Sequence, residues 1–346
     1  MARISIVIPC YNSRKTITEC LTAIRKSIYK DYEIVVVDDH SSDNTVEIAA
    51  RYADKVIPLS ENKGSGNARQ VGMEQSSSDI ICFVDSDVLI KPQTVSMIMS
   101  FLSQHPEVDA VTGLLSKEHP HQNFFSQYKN LYMNYIFNLL PDRVTFLFGS
   151  ICALRKQAGC PGDNALRHTP DTEFGQRLFL GGKTIAFLKD LGVVHLKSYT
   201  PLSFFKNDFR VPFSWAKIFV RFAGWRQLGR NKTGFAHASR TQLASVVVTA
   251  SVFFLAGASF FVPSAGIGLY FLSIFWLTLN IRFFVFLFRE RGSAFLLTCV
   301  PVTFADQLVM AFGIVAGIYS ELCSQFLCSI RNFRRSKVVH SEKCVL

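Results

Sequence analysis

The 346-residue chain carries a formal net charge of +11 and is 49% hydrophobic, with 32 phenylalanines. That is room for one catalytic domain of about 200 residues and an appendage, not for two full enzyme domains. The charge is uneven: residues 1–196 hold 20 basic and 21 acidic side chains, 197–240 hold nine basic ones against Asp208 alone, and 241–281 hold none. Basic segments beside charge-free apolar runs speak against nucleic acid as a partner and for anionic lipid headgroups, worth about 1 kcal/mol per surface Lys or Arg.

In chain order, Ile4 to Pro9 is a short apolar run closed by a Tyr11-Asn12 turn, and Ser13 to Lys26 spaces Ile17, Leu21 and Ile24 as a helix does. Tyr32 to Val37 repeats the strand and stops at Asp38-Asp39, with a helix from about Asn44 to Tyr52. Lys55 to Pro58 is a third strand, a helix near Gly66 to Ser76 follows, and Ile80 to Val84 is a fourth strand ending at Asp85. Strands this apolar are buried on both faces, as in a mostly parallel sheet flanked by helices. The fold class read here is therefore α/β. In such sheets ligands gather at the carboxyl ends of strands, where Pro9, Tyr11, Asp38, Asp39, Asp85 and Asp87 fall.

Phe124 to Phe137 spaces its aromatics as a helix face, which suits packing better than a platform for sugars. Residues 201–225 mix Phe and Trp with Lys206, Arg210, Lys217 and Arg221, a pattern for amphipathic helices lying in a membrane interface, and the basic juxtamembrane segment runs to residue 240. Leu243 to Val262 and Ile267 to Phe288 are long enough to cross a bilayer as a hairpin, and 294–320 is a third apolar segment interrupted at Asp306. The cations of the tail, residues 329–346, favour a broken or re-entrant third segment that returns them to the cytoplasm. No leader precedes the first strand, so the first domain is expected in the cytoplasm as part of an integral membrane protein. The nine cysteines are scattered without a CxxC pair and read as reduced structural thiols. Cys344 stands one position too late for a prenylation box, and the Asn231 sequon would go unused in the cytoplasm.

The chemistry concentrates in three places. Asp85-Ser86-Asp87 puts two carboxylates one residue apart at a strand end, suited to a hard Mg²⁺ or Mn²⁺ that also takes phosphate oxygens. Asp38-Asp39-His40-Ser41-Ser42-Asp43 holds more acid than a helix cap needs and can accept from a nucleobase or ribose. Asn62-Lys63-Gly64-Ser65-Gly66 offers a close backbone approach, with Arg69 one turn into the helix as a cation for a diphosphate.

Ile6 to Asn12, Val35 to Thr45, Asn62 to Arg69 and Phe83 to Asp87, in this order and spacing, resemble the nucleotide-binding half of family 2 inverting glycosyltransferases with the GT-A fold, over roughly residues 1–200. The resemblance implies a nucleotide-sugar donor, such as a UDP- or GDP-sugar, bound by Pro9, Tyr11, Asp38, Asp39, Arg69 and Asp85. It implies a metal held by Asp85 and Asp87, with His195 as a further ligand. Pro170-Asp171-Thr172-Glu173 resembles the family's catalytic acidic motif, with Asp171 at the base position and Pro170 where an acid often stands. The C-terminal segments make the chain similar to lipid glycosyltransferases, whose acceptors are lipids or lipid-linked glycans, polyprenyl phosphate among them. The Gln-x-x-Arg-Trp string of processive synthases is absent, which favours transfer of a single sugar. A dinucleotide oxidoreductase is disfavoured because Pro9-Cys-Tyr-Asn12 stands where GxGxxG would follow the first strand. The remaining alternative is a non-catalytic membrane scaffold or transporter-associated subunit that keeps a nucleotide-sugar-binding fold. Oligomeric state is not legible.

Overall fold

The computed structural model describes residues 3–159, 169–222, 238–262 and 264–342, with side chains described as far as residue 327. Trp225, the Asn231 sequon, Cys160, Pro263 and Cys344, and the side chains of the basic tail, lie outside the described residues.

The first half alternates strands and helices as its apolar periodicity demands. Strands β1 (Ile4–Cys10), β2 (Tyr32–Asp38), β3 (Lys55–Pro58) and β4 (Ile80–Val84) run parallel in the order β3-β2-β1-β4. Helices α1 (Ile17–Arg25), α2 (Thr45–Ala49) and α3 (Ser65–Glu74) connect them. Alternate residues of a strand face opposite sides. Ile4, Ile6 and Ile8 accordingly meet Ile17, Leu21 and Ile24 on one face, while Val7, Val35 and Val37 meet Ala68 and Met73 on the other.

Beyond β4 the sheet is mixed. After β5 (Val88–Leu89) and α4 (Thr94–Gln104), β6 (Ala110–Leu115) leads into α5 (Phe124–Asn138), followed by β7 (Arg143–Val144) and β8 (Ile151–Arg155). β8 lies antiparallel between β4 and β6; β9 (Ile185–His195) runs parallel to β6 and takes β5 and β7 antiparallel. The mostly parallel sheet expected from the apolar runs thus describes the first four strands. The Val88↔His195 register carries the end of β9 to the rim where β1, β2 and β4 end. Burial pushes the Cys82 thiol up to about 12 and raises those of Cys10, Cys20 and Cys152 as well. Such thiols stay protonated and inert.

Helix α6 (Pro170–Leu180) opens with Pro170 in its first turn, and α7 (Pro201–Arg221) with a capping box between Thr200 and Ser203. The aromatic face of α5 is packing: Tyr128 is fully buried between Phe204 (ring centroids 5.6 Å) and Phe283 (6.1 Å). Helices α8 (Arg240–Ser259) and α9 (Ala265–Glu342) are long and apolar enough to cross a membrane. Only 22% and 28% of the residues in their most apolar windows are buried, and Phe254, Phe271 and Val315 face outward. A core helix of a soluble protein would hide that surface.

α9 bends at Gly292, whose φ of 80° and ψ of −175° break the helical path into two limbs. The corner rests on the first domain, with Glu290 2.5 Å from Lys117 and Arg291 hydrogen-bonded to Gln127. Past the corner the second limb continues to Glu342, through Pro301 and Asp306. Where the charges suggested a broken third segment, the second limb runs as one helix, and Asp306 is buried beside Asp208 of α7 and Lys129 of α5. Gln307 binds α8 to both limbs: its Oε1 accepts from Ser245, Thr249 and Trp276, and its Nε2 donates to Asn280 at 2.8 Å. Against α7 the second limb presents Gly313 and Gly317, where a Cβ would stand 2.5 Å from the Phe209 carbonyl and 2.3 Å from the Phe213 carbonyl. Glu321 closes this contact with Arg221 at 3.1 Å.

Candidate active site

The carboxyl ends of β1 and β2 are tied by their own side chains. Asn12, with φ of 50°, accepts the Ser42 N–H on Oδ1 at 2.8 Å. Asp38 is 2% exposed and turned into its own loop, where its carboxylate accepts the Ser41 N–H at 2.8 Å, the Ser41 hydroxyl and the Cys10 thiol. These contacts hold the loop, and Asp38 does not line the cavity that Asp39 borders. Asp39 faces the other way: Oδ1 accepts the Lys63 N–H at 2.9 Å and Oδ2 the Gly64 N–H at 2.7 Å. Asp43, just ahead of α2, accepts the Thr45 N–H at 3.1 Å.

The glycine turn hung on Asp39 starts α3, and one turn later Arg69 points across the sheet to Asp85. Nη2 lies 2.6 Å from Asp85 Oδ1, with side-chain exposures of only 8% and 28%. Asp171, in the first turn of α6, is close enough for its charge to act on the same guanidinium and accepts the Gly149 N–H on Oδ2 at 2.8 Å. Burial raises the Asp171 carboxyl above the ordinary aspartate range, against the pull of Arg69 and the Gly149 N–H. Gly149 has to be glycine here, since a Cβ would sit 2.8 Å from Arg69 Nη2 and 3.1 Å from Asp171 Oδ2. Sequence reasoning passed over Gly149, which no local motif marks.

Asp87 reaches His195 across the β5–β9 ladder, with Nε2 3.7 Å from Oδ1. The other ring nitrogen, Nδ1, is 3.0 Å from the Lys197 backbone N–H and accepts from it. In the neutral ring the proton is then on Nε2, facing Asp87.

Two cavities meet at this point. One, of about 750 Å³, is lined by Pro9, Tyr11, Asp39, Asp85 and Asp87. The second, of about 560 Å³, is lined by Arg69, Asp85, Gly149, Asp171, Lys206 and Arg210. Ser65, Asp85 and Lys197 border both. Tyr11 stands 52% exposed at the mouth of the first. Lys197, Lys206 and Arg210 were visible in the sequence only as part of a basic stretch; that they line one cavity with Asp171 depends on where α7 and the end of β9 lie. Among the described residues no three His, Cys, Asp or Glu side chains converge into a metal cage. Two carboxylates over an open cavity are nonetheless the donor set Mg²⁺ uses when phosphate oxygens complete its shell.

Residues 5–159 match the Glycosyl transferase family 2 sequence family. Over 112 residues the chain is 37% identical to poly(ribitol-phosphate) beta-N-acetylglucosaminyltransferase TarS of Staphylococcus aureus, covering 30% of this chain and 20% of that protein. Over 114 residues it is 31% identical to poly-beta-1,6-N-acetyl-D-glucosamine synthase of Staphylococcus epidermidis, covering 32% and 28%. The matches therefore span a fifth to just over a quarter of these relatives. In fold, the chain is similar to the mannosyltransferase PcManGT of Pyrobaculum calidifontis, solved with GDP-Man and Mn²⁺, with a TM-score of 0.56 and 16% identity over 93% of this chain and 87% of that one. The parallel strands, the acids at their ends and these matches together identify residues 5–159 as a glycosyl transferase family 2 domain on a GT-A fold.

Proposed function

We propose that the chain is a membrane-anchored, metal-dependent, inverting glycosyltransferase that moves one sugar from a nucleotide-sugar to a lipid or lipid-linked acceptor at the cytoplasmic face of a membrane. The observation that carries this reading is the meeting of two cavities at Asp85, with Arg69 paired to that carboxylate and Asp171 lining the second cavity beside the same guanidinium. The cavity beyond Pro9, Tyr11 and Asp39 takes the nucleotide, and the one before Asp171 takes the acceptor. The complexes of PcManGT with GDP-Man and of a TarS fragment with UDP-GlcNAc support a nucleotide-sugar donor without choosing its base.

Asp85 and Asp87 fit a divalent cation, which when bound would neutralise the diphosphate as a leaving group. The tautomer described above makes His195 a donor toward Asp87, so we assign it to orienting that carboxylate and leave ligation to the two acids. In the transfer the acceptor oxygen forms its bond to the anomeric carbon as the bond to the diphosphate breaks, and the nucleoside diphosphate leaves with the electron pair. The acceptor's proton passes to Asp171, whose raised affinity for it suits a base. Arg69 holds the Asp85 and Asp171 carboxylates apart and faces the charge that develops on the leaving group.

The test is purified full-length protein in detergent, incubated with a panel of nucleotide sugars and membrane lipid extract, with and without EDTA. Sugar incorporated into lipid only when divalent metal is present is the expected result. Incorporation that survives chelation removes the metal, and no turnover of any nucleotide sugar removes the enzyme reading.

A further inference from the structure

The loop between β6 and α5, residues 116–123, forms no strand or helix, so its backbone carbonyls need partners from elsewhere. Side chains of α5 supply them. Asn130 donates to the Ser116 and Lys117 carbonyls at 2.9 and 3.1 Å, and Gln127 donates to the His121 carbonyl at 2.7 Å. Gln127 is 3% exposed, and its other end belongs to α9: Oε1 accepts from Arg291, next to the bend at Gly292. A guanidinium only donates, so Arg291 fixes which way the Gln127 amide faces, with oxygen to the corner and nitrogen to the loop. At its other side the loop meets the site, where Pro120 and His121 line the cavity of Asp85 and Asp87. His121 Nε2 is 3.0 Å from the Leu196 carbonyl, which can only accept, so the ring donates there. The Leu196 N–H in turn donates to the Asp87 carbonyl at 2.7 Å, where β5 pairs with the end of β9.

We infer that Gln127 and His121 are positioning residues for Asp87, and that through them the seating of the α9 corner sets the metal end of the site. The inference rests on the proposed metal-dependent reading and adds residues that reading does not use. The donor–acceptor run from Arg291 through Gln127, His121 and Leu196 to Asp87 is unbroken, and each link has one direction. Without Arg291 the Gln127 amide is free to turn its oxygen to the loop, where it would face the His121 carbonyl and push it away. Leu196 would then lose the ring that holds its carbonyl, and the strand end that fixes Asp87 would loosen. A small hard cation asks for near-ideal octahedral geometry, so a shift of its carboxylate by a fraction of an ångström lowers affinity. Groups behind a metal ligand commonly govern affinity in this way.

The experiment uses full-length protein in detergent, with Mn²⁺ as the probe in the presence of UDP or GDP, and free Mn²⁺ counted by electron paramagnetic resonance. Three variants cut the run at different links. Gln127→Glu keeps an oxygen for Arg291 but removes the N–H offered to His121; His121→Phe removes the donor to Leu196; Arg291→Met frees the Gln127 amide. Each is expected to weaken Mn²⁺ binding about tenfold, while nucleotide affinity measured calorimetrically in EDTA stays at the wild-type value. Arg291→Lys, which still donates, should recover most of the loss. Arg291→Met combined with His121→Phe should bind Mn²⁺ no worse than the weaker single variant, because both cut one path. Wild-type Mn²⁺ affinity in Gln127→Glu and His121→Phe would overturn the inference, and so would additive losses in the double variant. A loss of nucleotide affinity in EDTA as large as the loss of Mn²⁺ affinity would also overturn it, since the loop would then be only a cavity wall. His121 is exposed, so His121→Phe decides the question if Gln127→Glu fails to fold. Wild-type protein that binds nucleotide but no Mn²⁺ would bring down the metal reading and this inference with it, whereas tight wild-type binding that no variant alters removes the positioning role alone.

Discussion

Asp39 and Gly64 are joined across the rim of the sheet: the carboxylate at the end of β2 accepts the Gly64 N–H at 2.7 Å and, through its other oxygen, the Lys63 N–H at 2.9 Å. The turn that launches α3, and with it Arg69, therefore hangs from a single buried acid. Asp39→Ala leaves two N–H groups without their acceptor, so a loss of about 2 kcal/mol is expected. Thermal unfolding and calorimetric titration with UDP and GDP check it. A lower Tm with weaker nucleotide binding is the outcome expected, and an unchanged Tm would show the turn is held by something else.

The Arg69–Asp85 pair makes a second prediction. Removing one member of a buried ion pair costs about 3–5 kcal/mol because the other charge is left without compensation. Arg69→Met alone and Asp85→Asn alone should each destabilise strongly, whereas the double variant should recover part of the loss. A double-mutant cycle on unfolding midpoints reads the coupling, and simple additivity would mean the two side chains act independently. None of the three variants should transfer sugar.

Asp171 links stability and activity to pH in opposite directions. Its carboxyl titrates higher in the folded chain than in the unfolded one, so the native state holds the proton more tightly. Stability is therefore fullest below the ordinary aspartate value and falls as pH rises toward the raised one. Asp171→Asn should raise Tm at neutral pH and change it little in acid, while lowering kcat by about 10²–10⁴ if the carboxylate is the base. The acid limb of kcat/KM should lie above the usual aspartate range in the wild type and vanish in the variant. Near-normal turnover of Asp171→Asn with saturating donor would cancel the assignment.

Gly149→Ala is the smallest change with a predicted large effect. The added methyl would stand 2.8 Å from Arg69 Nη2 and 3.1 Å from Asp171 Oδ2. Displacing both groups by a fraction of an ångström should cost about 10²-fold in kcat/KM. Steady-state kinetics at matched Tm separate this from unfolding.

Much of this was open to a reader of the sequence because the apolar runs of β1, β2 and β4 have no alternative but a buried sheet, and their last residues then mark the rim. Asp39, Arg69, Asp85, Asp87 and Asp171 were singled out that way or by resemblance, and Arg69, Asp85 and Asp171 line one cavity. What escaped depended on contacts between distant segments. The contacts of Asp38 to Ser41 and Cys10 join the ends of β1 and β2, which no spacing announces. Asp306 looked like a break until Asp208 and Lys129 were found beside it in space. The contact of the Lys197 N–H with His195 Nδ1 is equally unannounced. In each case the deciding partner is a group whose position periodicity does not encode.

The close crossing of α7 over Gly313 and Gly317 fixes more than one interface. Backbones that touch leave no side-chain layer to shear, so the first domain and the second limb of α9 move as one body. The separation of Asp171 from the outward-facing apolar helices is then a built-in dimension of the fold.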